Sequence, residues 1–222
     1  MQMESAMMLD EGTVRALLRM EDVIPLMERA LADLSSGKVV QPVRTVVPVP
    51  DHEGFLFLMP AYAGALGVKL VTLFPRNQGV PTHHAMIVLF KPETGEPLVT
   101  MDGRLITEMR TAAVSAVATK VLARPEATVL AILGSGVQAR SHVQALRLVR
   151  DFRDVRVWSP RNAGAFAREC AVRAVGSAQE AVTGADVVVT ATTSRTPVLA
   201  GAWLAPGAHI NAVGAPRPDW RE

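Results

Sequence analysis

The chain has 222 residues, of which 49% are hydrophobic and 20% charged, with a formal net charge of +2. These values are typical of a globular chain of one or two domains. The small net charge predicts no nucleic acid partner. Its one cysteine excludes an internal disulfide and favours a reducing compartment. We expect a cytoplasmic protein with no membrane association, because no apolar run reaches roughly 18 residues and acidic Glu4, Asp10 and Glu11 stand where a signal peptide is basic and then apolar.

The first 112 residues mix helices with short strands. Amphipathic helices are predicted over 9–34, with Asp10 as the cap of the first. Short apolar runs at 43–47, 54–59, 67–74 and 85–90, bounded by Pro, Gly, Asn or Asp, predict an antiparallel-leaning sheet. A turn at 92–95 predicts a hairpin with a strand at 97–101. We therefore expect an α+β substrate-binding and dimerisation domain over 1–112, with a helix over 105–122 leading into the second domain.

The second half alternates between strands and helices. Strands are predicted at 128–133, 155–158, 171–175, 186–191 and 208–213, and helices at 137–149, 162–169 and 177–182. This βαβ alternation predicts an α/β fold, a Rossmann-type doubly wound parallel sheet, over 113–222. No metal site is predicted.

A glycine turn joins the first strand of this domain to its first helix. Gly134, Ser135 and Gly136 follow the strand, and Ala139 takes the third position of the dinucleotide fingerprint. Such a turn brings backbone N–H groups to a pyrophosphate at the helix N-terminus; a tight turn without a ligand is the alternative. Because ligands of an open parallel sheet lie beyond the carboxyl ends of its strands, we expect the same crevice to include Ser159, Ala191, Thr192, Val213 and Gly214.

The end of the second strand bears on the choice of cofactor. An acidic residue there favours NAD, whereas a basic or small polar residue admits the 2′-phosphate of NADP. The sequence reads Trp158-Ser159-Pro160-Arg161-Asn162, with no acid. The prediction is therefore NADP(H), with NAD(H) possible, although Arg161 could instead be a solvated residue at a helix start.

Three cations interrupt otherwise apolar surroundings. Lys69 and Arg44 lie within apolar strands, and Arg110 lies near the middle of the linking helix. A buried cation is costly unless it is paired, and such groups could hold a carboxylate; ordinary surface cations are the alternative reading for each. His83 and His84 point to opposite faces of a strand, so that at most one faces a site. We take His83 as the candidate proton donor.

Seven stretches resemble the ornithine cyclodeaminase/mu-crystallin family: 44–49 (RTVVPV), 58–62 (LMPAY), 68–72 (VKLVT), 101–103 (MDG), 110–116 (RTAAVSA), 134–139 (GSGVQA) and 207–214 (GAHINAVG). The resemblance implies a homodimer formed through the N-terminal domain, with NAD(P) on the Rossmann domain. It also implies that Arg44, Lys69 and Arg110 bind the substrate carboxylate. The cofactor contacts that it implies are Thr111, Gly134, Ser135, Gly136, Val137 and Gln138.

Two departures separate the branches of the family. Ornithine cyclodeaminases carry a glutamate before Leu-Met-Pro and an aspartate in a G-x-D-x-P-G-K loop, where this chain has Phe57 and Pro216. The segment 217–222 (RPDWRE) is similar to the mu-crystallin branch instead. The resemblance thus implies NAD(P)H-dependent reduction of cyclic ketimine carboxylates, small imino acids. An ornithine cyclodeaminase or alanine-type dehydrogenase, and a low-turnover binding protein, are the alternatives. It also implies further Rossmann strands and a returning helix after Glu222.

Overall fold

The computed structural model describes residues 7–214 and 221–222. The described chain divides into two compact units, an N-terminal unit up to Asp22 and over Leu26–Thr107, and a C-terminal unit over Val23–Pro25 and from Glu108 onward. The helix Arg104–Leu122 (α3) passes from one unit to the other, so the division lies inside an element that we predicted as the link. No helix among the described residues is long and apolar enough to cross a bilayer.

Two helices begin the N-terminal unit, Glu11–Leu17 (α1) and Met20–Ser35 (α2). The predicted cap is confirmed, because a carboxylate oxygen of Asp10 accepts a hydrogen bond of 2.8 Å from the backbone N–H of Thr13. A strand at Met7–Leu9 (β1) precedes them. No sequence pattern predicts β1, because three residues are too few to show a strand periodicity.

The N-terminal unit contains one six-stranded sheet. Its other strands are Thr45–Val49 (β2), Gly54–Tyr62 (β3), Leu66–Leu73 (β4), His83–Phe90 (β5) and Pro97–Asp102 (β6). The order is β1-β6-β5-β4-β3-β2, antiparallel from β2 to β6, with only β1 parallel to its neighbour. The predicted antiparallel sheet and the β5–β6 hairpin are therefore confirmed. Every residue of β4 is only half-buried.

The C-terminal unit is a parallel sheet with alternating helices. Its strands are Val129–Leu133 (β7), Asp154–Trp158 (β8), Arg173–Ala174 (β9), Val187–Thr190 (β10) and His209–Ala212 (β11), and its further helices are Val137–Arg147 (α4), Ala163–Cys170 (α5) and Ala178–Val182 (α6). The order is β11-β10-β7-β8-β9, with all pairs parallel. Leu130 to Leu133 and all of β10 are buried, as expected for strands covered on both faces. The Rossmann prediction is confirmed.

Two arginines, Arg147 at the end of α4 and Arg150 three residues later, donate hydrogen bonds to the C-terminal ends of other helices. Arg147 donates to the carbonyl oxygens of Cys170 and Ala171, at 3.0 and 2.9 Å, where α5 ends. Arg150 donates to the carbonyl oxygens of Lys120 and Ala123, at 3.0 and 3.3 Å, where α3 ends. A helix C-terminus leaves carbonyls without partners and carries negative partial charge, so a guanidinium satisfies both. These cations stabilise helix ends within the C-terminal unit.

Candidate functional site

The carboxyl ends of four parallel strands lie at one edge of the C-terminal sheet. Backbone hydrogen bonds join the segments that leave them: Gly134 N–H to Trp158 O at 2.9 Å, Ala191 N–H to Leu133 O at 2.8 Å, and Val213 N–H to Thr190 O at 3.0 Å. The structure thus brings together the predicted crevice residues, which directly follow or border these strand ends (Gly134, Ser159, Ala191, Thr192, Val213 and Gly214). Their role in binding a cofactor stays a prediction.

The glycine turn at this edge has two different glycines. Gly134 has a φ of +119°, and a Cβ built on it would lie 2.3 Å from the carbonyl oxygen of Ala191. Gly136 caps α4 with an ordinary φ of −83°, and a Cβ there would meet no atom within 4 Å. Ala139 is fully buried under the turn. The backbone conformation and the close approach of Ala191 therefore require glycine at position 134. At position 136, the absence of a side chain leaves open space at the N-terminus of α4.

Side chains from three elements hold the glycine turn. Ser135 Oγ donates to Ser159 Oγ at 2.9 Å, which links the ends of β7 and β8. Arg140 donates to the Ser135 carbonyl at 3.2 Å and forms a bidentate pair with Glu169 on α5, at 2.6 and 2.8 Å. The Arg140 guanidinium also lies 5.6 Å from the ring centroid of buried Phe166. No sequence pattern predicts this contact, because Glu169 is 29 residues away along the chain.

A carboxylate also reaches the crevice. Glu222 accepts a hydrogen bond from the backbone N–H of Thr192 and lies close to Gly214. Its second oxygen is buried without a hydrogen-bond partner among the described residues. No sequence pattern predicts this role for Glu222. Pro216, one of the two branch departures, lies outside the described residues.

Helix α3 carries two of the predicted site residues in the C-terminal unit. Thr111 is half-buried, as is Arg110, whose Nε is buried without a hydrogen-bond partner among the described residues. Burial lowers the pKa of Arg110, although an arginine stays protonated at neutral pH. On α4, Val137 is exposed at the first helical position and Gln138 has a buried Oε1 with no partner among the described residues. Polar atoms that are buried without partners are typical of sites that bind a polar ligand.

One face of the N-terminal sheet carries the other predicted cations. Met59 pairs with Lys69, and Lys69 pairs with Ile87, so these side chains share a face. Arg44 directly precedes β2, and continuing the β2–β3 register by one residue places it opposite Met59. Its guanidinium lies 5.2 Å from the ring centroid of Phe57, on the same face. Arg44 and Lys69 thus occupy one cross-strand row, separated by a single strand.

His83 lies on the face that carries Lys69 and His84 on the opposite face, since they pair with Leu73 and Thr72. His83 is, however, four residues along β5 from Ile87, the partner of Lys69, which is about 13 Å at strand spacing. Burial and the charge of His84 lower the pKa of His83, which favours its neutral form. The structure therefore does not place His83 beside Lys69 within the N-terminal unit, and its role as a proton donor stays a prediction.

The C-terminal crevice fits a dinucleotide. Its glycine turn leaves open space over the first turn of a helix whose N–H groups are available to a pyrophosphate. Around it lie hydroxyls of Ser135 and Ser159 and the amide oxygen of Gln138, which has no hydrogen-bond partner within 7–214 and 221–222. Among the described residues no group of three or more His, Cys, Asp or Glu side chains could hold a metal ion.

The sequence of residues 4–222 matches the model of the ornithine cyclodeaminase/mu-crystallin family. The chain belongs to this family. The ketimine reductase mu-crystallin of Mus musculus is 53% identical in an alignment 212 residues long that covers 90% of this chain and 68% of the mouse protein. The family resemblance carried by the seven stretches is therefore confirmed.

Solved structures of this family share the fold. The Δ1-pyrroline-2-carboxylate reductase of Thermococcus litoralis, in complex with NADH and L-proline, is similar with a TM-score of 0.91 and 41% identity, over 97% of this chain and 71% of that chain. An archaeal alanine dehydrogenase dimer with bound NAD has a TM-score of 0.89 and 35% identity, over 93% of this chain and 67% of that one. This family member thus spans about two thirds of the length of these relatives.

Proposed function

We propose that this chain is an NAD(P)H-dependent reductase of cyclic ketimine carboxylates, of the pyrroline-2- or piperideine-2-carboxylate type. The imine binds already protonated on its nitrogen, and hydride transfer to its C2 carbon completes the reduction to the amine. The observation that carries the proposal is the sheet face on which Arg44 and Lys69 flank Met59, with the ring of Phe57 under Arg44. This face joins two cations to an apolar wall. A small ring that carries one carboxylate is complementary to this face, because its carboxylate pairs with the cations and its ring packs on the apolar wall.

The two cations suit a carboxylate in different ways. Arg44 presents a planar guanidinium that can hold both carboxylate oxygens, and Lys69 adds a compact charge from the neighbouring side. Lys69 is half-buried among apolar neighbours, where a charge–charge interaction is stronger than in water. Arg110, in the other unit, is proposed as a third ligand on the family resemblance alone.

Phe57 favours a ketimine over a diamino acid. Family resemblance assigns this position to the glutamate that binds a second amine in cyclodeaminases. An ammonium that leaves water needs a carboxylate partner, and the ring of Phe57 instead stacks on Phe55, with centroids 6.0 Å apart. A cyclic ketimine has no second amine, so the face lacks nothing that this substrate needs.

A nicotinamide cofactor supplies the hydride when it is bound. The residues proposed to hold it are Thr111 of α3, the turn and first helical residues Gly134–Gln138, and the strand ends at Ser159, Arg161, Ala191, Thr192, Val213 and Gly214. The N-terminus of α4 neutralises part of the pyrophosphate charge. The protein's contribution is mainly orientation, because the cofactor carries the redox chemistry.

We further propose that the protein forms a homodimer and that it works in a reducing, cytoplasmic compartment. The six-stranded sheet leaves apolar side chains of the N-terminal unit exposed, among them Val43 at 94% and Val46 and Val47 at 45% and 44%. These side chains lie on or just before β2, the edge strand of the sheet, and exposed apolar side chains there are available to an interface. The single cysteine, Cys170, is free, which agrees with a reducing environment.

The proposal is tested with two substrates in parallel. The chain is incubated with pyrroline-2-carboxylate and NADPH, and separately with ornithine and NAD. We expect NADPH absorbance to fall in the first sample, and neither proline nor ammonia to form in the second. Efficient proline formation from ornithine without ketimine reduction would overturn the assignment in favour of a cyclodeaminase. Cofactor binding without turnover in either sample would instead identify a low-turnover binding protein.

A preference for NADP(H) over NAD(H) is proposed from Ser159 and Arg161. Arg161 is exposed after the end of β8, where no acid selects against a 2′-phosphate. Replacing it by Gln is expected to weaken NADPH binding by about 1–3 kcal/mol, the value of a charged hydrogen bond, with NADH binding unchanged. Arg168→Gln, an exposed arginine of α5, is the control. Equal Kd values for NADPH and NADH in the unmodified protein would contradict the preference.

A further inference from the structure

His142 is a buried histidine of α4 with one hydrogen bond at each ring nitrogen. Its side chain is 0% exposed. Nδ1 lies 2.7 Å from the carbonyl oxygen of Gln138, and Nε2 lies 2.9 Å from Ser115 Oγ on α3. A carbonyl can only accept, so Nδ1 carries the proton and Nε2 accepts from the serine hydroxyl. Burial lowers the pKa of His142 and so favours the neutral ring, in which Nε2 is the acceptor of this pair.

A second hydrogen bond joins the same two helices. Ser141, the residue before His142, donates from its hydroxyl to Glu108 Oε1 on α3 at 2.6 Å. Ser141 is also buried, at 4% exposure. Consecutive residues of α4 thus contact α3 at positions 108 and 115. These positions are seven residues apart, or about two helical turns, so the contacts fix both the rotation and the translation of α3 against α4.

Thr111 lies between these two contacts. Positions 108, 111 and 115 follow the i, i+3, i+7 spacing of one helix face, so Thr111 is on the face of α3 that meets α4. On the α4 side, Gln138 belongs to the first turn, directly after Gly134–Gly136. The two hydrogen bonds therefore tie the helix turn that contains Thr111 to the helix turn that follows the glycine loop.

We propose that Ser115 and His142 are positioning residues for the cofactor, which hold Thr111 in register with the glycine turn so that both bind the same pyrophosphate. The inference rests on the proposed function, because it assumes a dinucleotide at this turn. Apolar residues at positions 115 and 142 would bury similar area, but they would not specify one register as a satisfied pair of buried hydrogen bonds does. His142 is not among the residues proposed to contact the cofactor. It positions those residues indirectly, through its hydrogen bonds to the backbone of α4 and to Ser115 of α3.

Two substitutions separate the two bonds of His142. An asparagine amide matches the position of Nδ1, so His142→Asn can keep the contact with Gln138 and loses the contact with Ser115. A glutamine amide reaches the position of Nε2, so His142→Gln can keep the contact with Ser115. Ser115→Ala deletes one oxygen atom and removes the same link from the other side, so the test does not depend on the folding of His142→Asn.

The matched control is Thr119→Val. Thr119 Oγ1 accepts from Asn211 Nδ2 at 2.9 Å, a buried hydrogen bond made by the same helix one turn farther from Thr111. Its loss should lower the melting temperature about as much as Ser115→Ala does, since each change leaves one buried polar group without a partner. It should leave the position of Thr111 unchanged.

The experiment measures Kd for NADPH, NADH and ADP-ribose, together with Tm. ADP-ribose keeps the pyrophosphate and lacks the nicotinamide. We expect Ser115→Ala and His142→Asn to raise all three Kd values by about tenfold, which corresponds to about 1.4 kcal/mol of binding free energy. His142→Gln and Thr119→Val should stay within about threefold of the unmodified chain. A purely structural role moves Tm and leaves Kd unchanged.

The outcomes distinguish this inference from the proposed function. If the unmodified chain binds none of the three ligands, the proposed function fails and the inference fails with it. If the unmodified chain binds them, and Ser115→Ala and His142→Asn bind as tightly as Thr119→Val, only the inference is overturned. Retained affinity in His142→Gln beside a loss in His142→Asn supports it directly.

Discussion

Replacing Lys69 by Met is expected to abolish ketimine reduction while the protein still folds and binds NADPH. Methionine keeps much of the volume of the half-buried side chain on β4, so the sheet packs as before, but the ammonium that we propose to hold the substrate carboxylate is gone. Loss of one preorganised charge at a reacting centre lowers kcat/KM by on the order of 100-fold or more. The measurement is the decrease in NADPH absorbance with pyrroline-2-carboxylate.

Lys38→Met is the matched control for this substitution. Lys38 belongs to the same unit and its side chain is 71% exposed, in a surface pair with Asp33. Such a pair contributes little to stability, and its loss should change neither rate nor affinity. If Lys69→Met reduces the ketimine at a rate near that of Lys38→Met, Lys69 is an ordinary strand residue and the proposed carboxylate site is wrong.

Alanine at the two glycines of the turn is expected to give opposite results. Gly134→Ala places a Cβ 2.3 Å from a backbone oxygen at a φ of +119°, so the free energy of unfolding should fall by about 2–5 kcal/mol. Gly136→Ala meets no protein atom within 4 Å and needs no unusual φ, so stability should fall by no more than about 1 kcal/mol, the cost of alanine at a helix N-cap. The added methyl group instead occupies the approach of the pyrophosphate. NADPH binding should therefore weaken by about 1.4 kcal/mol or more, which is tenfold in Kd.

Denaturant unfolding and cofactor titration on both variants check this pair. The two changes add the same single methyl group two residues apart, so each serves as the control of the other. Unchanged cofactor affinity in Gly136→Ala would show that the open space over the turn is not where a pyrophosphate lies. Unchanged stability in Gly134→Ala would mean that β7 and β10 can separate at this point without cost.

The Rossmann unit was predictable because its signals are local. A buried run such as Leu130–Leu133, followed at once by Gly134-Ser135-Gly136, contains strand, turn and helix start within ten residues. The antiparallel sheet was predictable for the same reason, since each strand is bounded by turn residues. The three-residue strand β1 was missed because it pairs with Val99–Met101, about ninety residues away.

The contacts that organise the candidate sites were not predictable, because they join distant parts of the chain. Sequence patterns singled out Arg44 and Lys69 separately, but their common row depends on the register of β3 between them. Arg140 and His142 directly follow a recognised motif, yet their partners Glu169 and Ser115 are 29 and 27 residues away. A single sequence contains no signal for such pairs.

Arg147 and Arg150 donate hydrogen bonds to the last carbonyls of α5 and α3. These contacts affect how the basic isoelectric point should be interpreted. With a net charge of +2 and a pI near 9.0, the excess positive charge could suggest attraction to polyanions. At these two positions it is matched instead by the negative ends of helix dipoles. A lysine would preserve the isoelectric point at either position, but it lacks the planar guanidinium fork whose separate nitrogens donate to the two carbonyls at the end of α5. At these two residues, positive charge that raises the isoelectric point serves to stabilise helix C-termini and does not indicate a polyanionic partner.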